Sequence, residues 1–594
     1  MILQELVRYY DRQRALPESD IAPPGWVRRP LDYVLVLSSG GECINLVPQF
    51  VLAKSKRLSQ AALLPAIGKQ ALKHTNSGKD ANLLWDNASF ALGWGDVRGT
   101  KLTSFAETIA HYLCDVQDEG VSAVNLFLAA LVGQPDVARR LVERFDALTD
   151  FEQRDPVLAF QLVGDEEGLV HHRGEVRKAI ATRLTDGELQ ASQGTCLVSG
   201  DSCVALASNE TVIKGVWDAQ PSGANIISFN KASFSSYGKR DSKGANAPVG
   251  KAASSAYSTA LNHLLEAGSR NRVQVGDSST VFWADRASTF DGEFTLADLF
   301  GEPKDDPDRG VRAVQALFEA VKGGQLPVGE RDVRFFVLGL APNAARISVR
   351  FWLDAPLAEL APRIARHFDD LRVVRRFDSD PITPSLFRLL TSLALQGKLD
   401  NVPPRLAGEW MRAILEGLPY PALLLNAAVM RCKAEQDVTY LRAAVLKAWL
   451  NRDHRRKHPD APTDTQHFKE QLDMAQTDTP YRLGRLFAVL EHIQRQAMPG
   501  INATIRDRYY SAASTTPVTV FTTLLRLKNA HMKKLTDGQT AYFERLIGEV
   551  LEPMSDFPRQ LTLAQQGRFA LGYYHQRQQF FTRKDVDTNT AQEN

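Results

Sequence analysis

The stretch VRFFVLGLAPNAARISVRFWLD, residues 333–354, sets two apolar runs rich in β-branched and aromatic residues on either side of Ala341-Pro342-Asn343-Ala344. That pattern predicts a β-hairpin, and apolar residues at helical spacing predict a helix over 356–368 directly after it. Working toward the N-terminus, DYVLVLSSGGECINLVPQF (32–50) reads as two strands around a Ser-Ser-Gly-Gly turn. TCLVSGDSCVAL (195–206) reads as a further hairpin, ANIISFN (224–230) as a strand and VQVGDSSTVFWAD (273–285) as strand, turn, strand. Between them lie helical signals. Ile2, Leu3, Leu6, Val7 and Tyr10 are spaced for an opening helix, residues 101–189 are periodic throughout, and AASSAYSTALNHLLEAG (252–268) closes on Gly268 as a C-cap. Residues 69–99 are dense in Gly, Asn, Lys and Trp without sustained periodicity, which predicts a long ordered loop rather than a core element.

Toward the C-terminus the strand signals stop at about Asp380. SLFRLLTSLALQG (385–397), AGEWMRAILEGL (407–418) and TYLRAAVLKAWLN (439–451) are helical. NRDHRRKHPDAPTDTQH (451–467) is an exposed connection or a solvated helix end. PYRLGRLFAVLEHIQRQ, VTVFTTLLRLKNAHMKKL and QTAYFERLIGEVLEPM then suggest a separate antiparallel bundle, with 583–594 frayed. The expected fold class is α+β: a mixed hairpin and helix region over 1–375, a helical connecting region over 376–466, and a helix bundle over 467–594.

The chain of 594 residues has room for roughly two to four domains, and 44% hydrophobic with 24% charged residues is globular composition. Its longest apolar run, VSAVNLFLAALVG from Val121, has the length of a buried core helix, so no membrane contact is expected. The opening segment carries Glu5 and Asp11 and lacks the basic-then-apolar order of a signal peptide, which predicts a cytoplasmic protein. Five scattered cysteines predict free thiols. A net charge of +2 gives no whole-molecule reason to bind nucleic acid, so any such case rests on local patches.

Catalytic patterns fail individually. SYGKR and NSGKD have Gly-Lys without the spacing or hydroxyl of a phosphate loop. There is no H-E-x-x-H and no G-x-S-x-G; HFDDL (367–371) reads as a surface helix face. Cys196 and Cys203 lack a second pair, and His171-His172 lacks partners for zinc. No catalytic residue, metal or cofactor is expected.

The most informative segment runs from Trp217 to Leu265, WDAQPSGANIISFNKASFSSYGKRDSKGANAPVGKAASSAYSTALNHLL. Cations suit phosphate, amides and hydroxyls can donate to phosphate or base edges, and glycines let backbone approach. On composition alone, a Ser/Gly-rich loop between strand and helix explains it better.

This segment, together with MILQELVRYYDR at the start, APPGW (22–26), DYVLVL (32–37), LWDNASFALG (84–93), CLVSG (196–200), VGDSSTVFWA (275–284) and LGLAPNAARISVRFW (338–352), resembles the large subunit of the type I-C CRISPR Cascade surveillance complex. The motifs run in order through roughly the first 350 residues, and the helical remainder agrees in layout. The resemblance implies a non-catalytic subunit that contacts the protospacer-adjacent motif in duplex DNA, helps open the duplex, holds the displaced strand and docks the helicase-nuclease. Its implied partners are the crRNA-bound backbone and crRNA-processing subunits, the small subunit and target double-stranded DNA, with protein reading the motif and guide pairing reading the sequence.

The resemblance marks segments, so residue assignments follow side-chain chemistry. Gln220, Ser222 and Asn225 in QPSGAN, with Asn230 and Lys231, sit on short turns that could enter a groove or serve as turn structure. Lys73, Asn76, Lys79 and Asn82 in KHTNSGKDAN form a second cluster that could grip phosphate or wedge the duplex. Lys239, Arg240, Lys243 and Lys251 are phosphate-contact candidates. Arg506, Arg508, Arg526, Lys528, Lys533 and Lys534 make a local basic excess beside Tyr509 and Tyr510, suited to a single-strand groove or simply a solvated helix face. In the resembled family the small subunit arises by internal translation, which makes Met474, before the first bundle helix, the candidate start. Two competing classes are a metal-dependent nuclease with a dispersed carboxylate site and a purely structural scaffold.

Overall fold

The computed structural model describes residues 2–581 except 18, 54–55, 68–79, 97, 190–191, 208–209, 230, 240–242, 267, 276, 287–299, 302–331, 345, 399–400, 404 and 461–466. The chain forms two units, one of Met1–Ser269 with Pro342–Ser348 and one of Arg270–Ala341 with Val349–Asn594.

At the centre of the first unit is the strand Tyr33–Leu37, apolar throughout because both its faces are covered. It pairs antiparallel with Cys43–Pro48, as the Ser-Ser-Gly-Gly turn predicts, and parallel with Val157–Leu162, beyond which lies Trp85–Asn87. Two of these strands correct the sequence reading. Val157–Leu162 lies inside 101–189, read there as helical throughout; a short continuous apolar run does not reveal its period. Trp85–Asn87 lies in the stretch read as a loop, where Ala81, Leu83, Leu84, Trp85 and Phe90 are buried and Trp85 Nε1 donates to the Pro65 carbonyl at 2.8 Å. A parallel pair requires a long crossover, and the helices Thr100–Leu113 and Glu119–Leu131 lie within it, packing Phe105, Ile109, Val124 and Phe127 onto Leu35 and Phe160. A second sheet, in the order Trp26–Leu31, Lys56–Pro65, Phe50–Ala53, shares the apolar cluster of Leu31, Leu64, Val34, Trp85 and Ala159 with the first.

The opening helix Ile2–Arg14 packs on Lys251–Leu264, where Tyr9 Oη meets His263 Nδ1 at 2.9 Å. The expected strand 224–230 is absent among the described residues. Ala224 and Asn225 make single bridges, to Ile213 and Arg346, and the N–H groups of Ile226 and Ile227 donate to the Glu210 carboxylate instead of to a neighbouring strand. The 195–206 hairpin shrinks to a two-residue ladder, Gln193–Gly194 with Val204–Ala205, because the Leu197 N–H goes to the Pro248 carbonyl.

The second unit begins with a sheet in the order Arg272–Val275, Ser278–Ala284, Arg334–Asn343, Arg346–Pro356. The hairpin read from 333–354 is present, with its strand running through Asn343 and its turn at Ala344, where φ is +53°. Phe282, Phe335, Val337, Phe351 and Leu353 of this sheet belong to one hydrophobic core with Ile364 and Phe368 of the helix Leu357–Leu371. That core continues through Trp410, Leu425 and Leu446 to Phe487, Phe569 and Tyr573. The expected separate bundle is therefore not separate: the helix Leu563–Gln579 is buried on most sides, its Tyr574 hydroxyl donating to the Val374 carbonyl at 2.7 Å. Lys433 Nζ likewise donates to Thr515 Oγ1 at 3.0 Å.

Two further readings are corrected here. HFDDL is not a surface face, since His367, Phe368 and Asp370 are buried; His367 Nδ1 meets the Tyr420 hydroxyl at 2.7 Å and Asp370 pairs with Arg455. The stretch beginning at Asn451 starts as a core helix end, because Tyr440–Lys457 continues into it and Asn451 exchanges two hydrogen bonds with the Phe468 backbone. The connection 461–466 and the tail 583–594 lie outside the described residues. No single helix among the described residues is long and apolar enough to cross a membrane.

Candidate nucleic-acid interface

Within the segment from Trp217 to Lys251, the backbone at Ile226 and Ile227 is held by one buried carboxylate. Glu210 Oε2 accepts from Ile226 N at 2.7 Å and Ile227 N at 3.1 Å, and Oε1 accepts from the Tyr257 hydroxyl at 2.5 Å. Burial pushes the Glu210 carboxyl above its ordinary range, while these donors favour its ionised form. On this brace stand two turns. Ala219 N donates to the Val216 carbonyl at 3.2 Å, leaving Trp217 56% exposed, and Gly223 N donates to the Gln220 carbonyl at 2.8 Å. Gly223 has φ +91°, and a Cβ there would lie 2.2 Å from Val212 Cγ1, so only glycine fits.

Gln220 is exposed on its turn and Ser222 half-buried. Asn225 points inward: it is 6% exposed, its Nδ2 donates to the Glu210 carbonyl at 3.2 Å and its own carbonyl accepts from Ile347 N at 2.9 Å. Asn225 is a strut of the turn. Lys231 and Lys239 are exposed, and Lys251 opens the helix Lys251–Leu264 half-exposed. Asn230 and Arg240 lie outside the described residues, and Lys243 is placed only as the first residue of a short 3-10 turn. The guanidinium of Arg346 sits 4.5 Å over the ring of Phe234.

The second cluster does not come together among the described residues. Lys73, Asn76 and Lys79 lie outside them, and Asn82 is 3% exposed with its N–H donating to Asp86 Oδ2 at 2.9 Å. Burial pushes Asp86 up to about 7, opposed by the Asn82 and Asn87 N–H groups. In the third cluster, Arg506 faces Asp437 at 3.4 Å and Asp507 at 3.5 Å, and Lys528 pairs with Glu544 at 2.7 Å. Arg508, Arg526, Lys533 and Lys534 are exposed. Tyr510 is 1% exposed, packed on Phe487, Phe569 and Tyr573, so it cannot offer a ring to a base; Tyr509 packs half-buried against the same core. Met474 is exposed before the helix Thr479–Ala497, with its sulfur accepting from Arg485 at 3.1 Å.

A family model for CRISPR-associated protein (Cas_Csd1) matches residues 6–581. The chain belongs to the Cas_Csd1 family of CRISPR-associated proteins. Comparison with curated proteins finds no match.

In this Cas_Csd1 chain the histidine pair is structural in its contacts: His171 and His172 both reach the Leu63 carbonyl, at 3.1 and 2.9 Å, and burial pushes His171 down to about 3. Among the described residues, no group of three or more His, Cys, Asp or Glu stands so as to hold a metal ion. Glu210 and Arg346, which hold this segment, are not evident in the sequence. Glu210 carries no local signal, since its partners are 16, 17 and 47 residues away.

Proposed function

We propose that this CRISPR-associated protein is the non-catalytic large subunit of a type I-C crRNA-guided surveillance complex acting in the cytoplasm. In this reading it recognises the protospacer-adjacent motif in duplex DNA, aids duplex opening, stabilises the R-loop and docks the helicase-nuclease. Its partners are the crRNA-bound backbone and crRNA-processing subunits, the small subunit and the target duplex. The observation that carries the reading is the braced face over 217–239, where Gln220, Lys231 and Lys239 are exposed on turns whose own backbone groups are bonded internally. An exposed amide and exposed cations within one segment suit the division between base-edge reading and phosphate anchoring. The exposed Arg508, Arg526, Lys533 and Lys534 suit the backbone of a displaced strand. A small subunit starting at Met474 would leave uncovered the side of Leu563–Gln579 on which Leu425 and Leu446 flank Gly567, so it would be most stable against another subunit.

The test is duplex binding by the assembled complex at several salt concentrations. Lys231→Glu with Lys239→Glu is expected to weaken binding of a motif-bearing duplex by roughly ten-fold or more and to lower the log affinity against log salt slope by about 2, with assembly on crRNA unchanged. Equal binding of duplexes with and without the motif by the unaltered complex points to the scaffold reading; metal-dependent cleavage by the purified chain points to a nuclease.

A further inference from the structure

Tyr237 is the most exposed large hydrophobic side chain among the described residues, at 95%, and its exposure is built rather than incidental. It occupies the second position of a turn in which Lys239 N donates to the Ser236 carbonyl at 3.1 Å, and both central residues are left-handed: Tyr237 at φ +52° and Gly238 at +73°. Glycine adopts that conformation freely and tyrosine does not. Asn246 clasps the turn from both sides, accepting from Ser236 N at 3.2 Å through Oδ1 and donating through Nδ2 to Ser235 Oγ and to the Lys239 carbonyl, each at 3.4 Å. At the base of the same loop Arg346 caps Phe234, which fixes where the turn departs. A turn held by a side-chain clasp at both ends thus presents one aromatic ring wholly to solvent.

The surroundings select the ligand. Residues 228–251 carry Lys231, Lys239, Arg240, Lys243 and Lys251 against the single carboxylate Asp241, so the loop is locally cationic in a chain whose net charge is only +2. A cationic loop with a fully open ring on a clasped turn matches an anionic chain bearing flat faces, which is nucleic acid. We propose that Tyr237 is a base-stacking residue: its ring covers the face of one nucleobase left unpaired beside the adjacent motif once the duplex opens, while Lys231 and Lys239 hold the flanking phosphates. This rests on the reading of the chain as a duplex-binding subunit and adds to it the residue that captures the opened base. Because stacking accepts any base, the contact stabilises the opened state without adding sequence preference.

The test uses the assembled complex and motif-bearing duplexes in which single positions beside the motif are replaced, one at a time, by an abasic residue. Tyr237→Asn removes the ring while suiting the left-handed backbone, so the turn is kept; Tyr237→Trp keeps a stacking surface. Tyr237→Asn is expected to weaken binding of the intact duplex roughly ten-fold, with Tyr237→Trp near the unaltered complex. At one abasic position the unaltered complex should lose a similar factor, and there Tyr237→Asn should add no further loss, the signature of two groups in contact. Binding by Tyr237→Asn within two-fold of the unaltered complex overturns the proposal, as do losses that multiply at every abasic position, which would assign the ring to a protein partner. Failure of the underlying reading shows differently: the unaltered complex would bind duplexes with and without the motif equally.

Discussion

Alanine in place of Gly572 should force apart the two helices at the centre of the second unit. A Cβ at Gly572 would lie 2.0 Å from the Tyr481 carbonyl oxygen, and one at Gly484 would lie 1.9 Å from the Phe569 carbonyl oxygen. Both obstacles are backbone, so no rotamer change relieves them; the helices Thr479–Ala497 and Leu563–Gln579 must separate. Separation loosens contacts made by Phe487, Phe569 and Tyr573, which pack ring to ring about 6 Å apart. The expected cost is about 3 kcal/mol or more for either substitution, at the upper end for overpacked cores. The double variant should cost less than the sum, because the first substitution already opens the crossing. Gly548, in the helix Asp537–Leu551, meets nothing within 4 Å, so Gly548→Ala should be neutral or stabilising by about 0.5–1 kcal/mol. Denaturant unfolding checks all four variants, and unchanged stability for Gly572→Ala would contradict the close crossing.

Glu210→Ala should release the candidate interface from its brace. It strips the acceptor from two half-buried N–H groups and a buried hydroxyl at once, those of Ile226, Ile227 and Tyr257. The buried hydroxyl left unpaired costs about 1–3 kcal/mol, and the two half-buried N–H groups, which water can reach, add less. Tyr257→Phe removes one of the three bonds and should cost about 1 kcal/mol. Hydrogen exchange is the direct readout: amides of 217–239 should exchange much faster in Glu210→Ala, while those of the helices Thr479–Ala497 and Leu563–Gln579 keep their protection. Duplex binding by the assembled complex should fall with it, because loosened turns must be ordered again on binding. Unaltered exchange over 217–239 would remove Glu210 from its role.

What the sequence made legible follows from the range of each interaction. The hairpin at 333–354 and the helices after 380 declare themselves through local period, and so does the opening helix with its apolar residues at Leu6 and Tyr10. Val157–Leu162 was hidden because its partner Tyr33–Leu37 lies more than a hundred residues away and because a strand covered on both faces loses its alternation. The helix Leu563–Gln579 was not among the helices named from the sequence; its polar residues are used inside the core, where Gln576 accepts from Arg485 at 3.1 Å and His575 meets Tyr481 at 2.8 Å. At the candidate interface, composition singled out a segment in which Gln220, Lys231 and Lys239 are exposed and could not tell them from buried Asn225. That distinction belongs to Glu210 and the bridge to Arg346, contacts that no local pattern encodes.

The most direct measurement is a photo-crosslink from position 220. With a benzophenone side chain in place of Gln220, in the complex assembled on crRNA and given a motif-bearing duplex, illumination should join the chain to DNA at or next to the motif, and competition with unlabelled motif duplex should abolish the product. Crosslinks from position 220 to neighbouring protein subunits alone, with DNA unlabelled, would contradict the assignment of this face to duplex DNA.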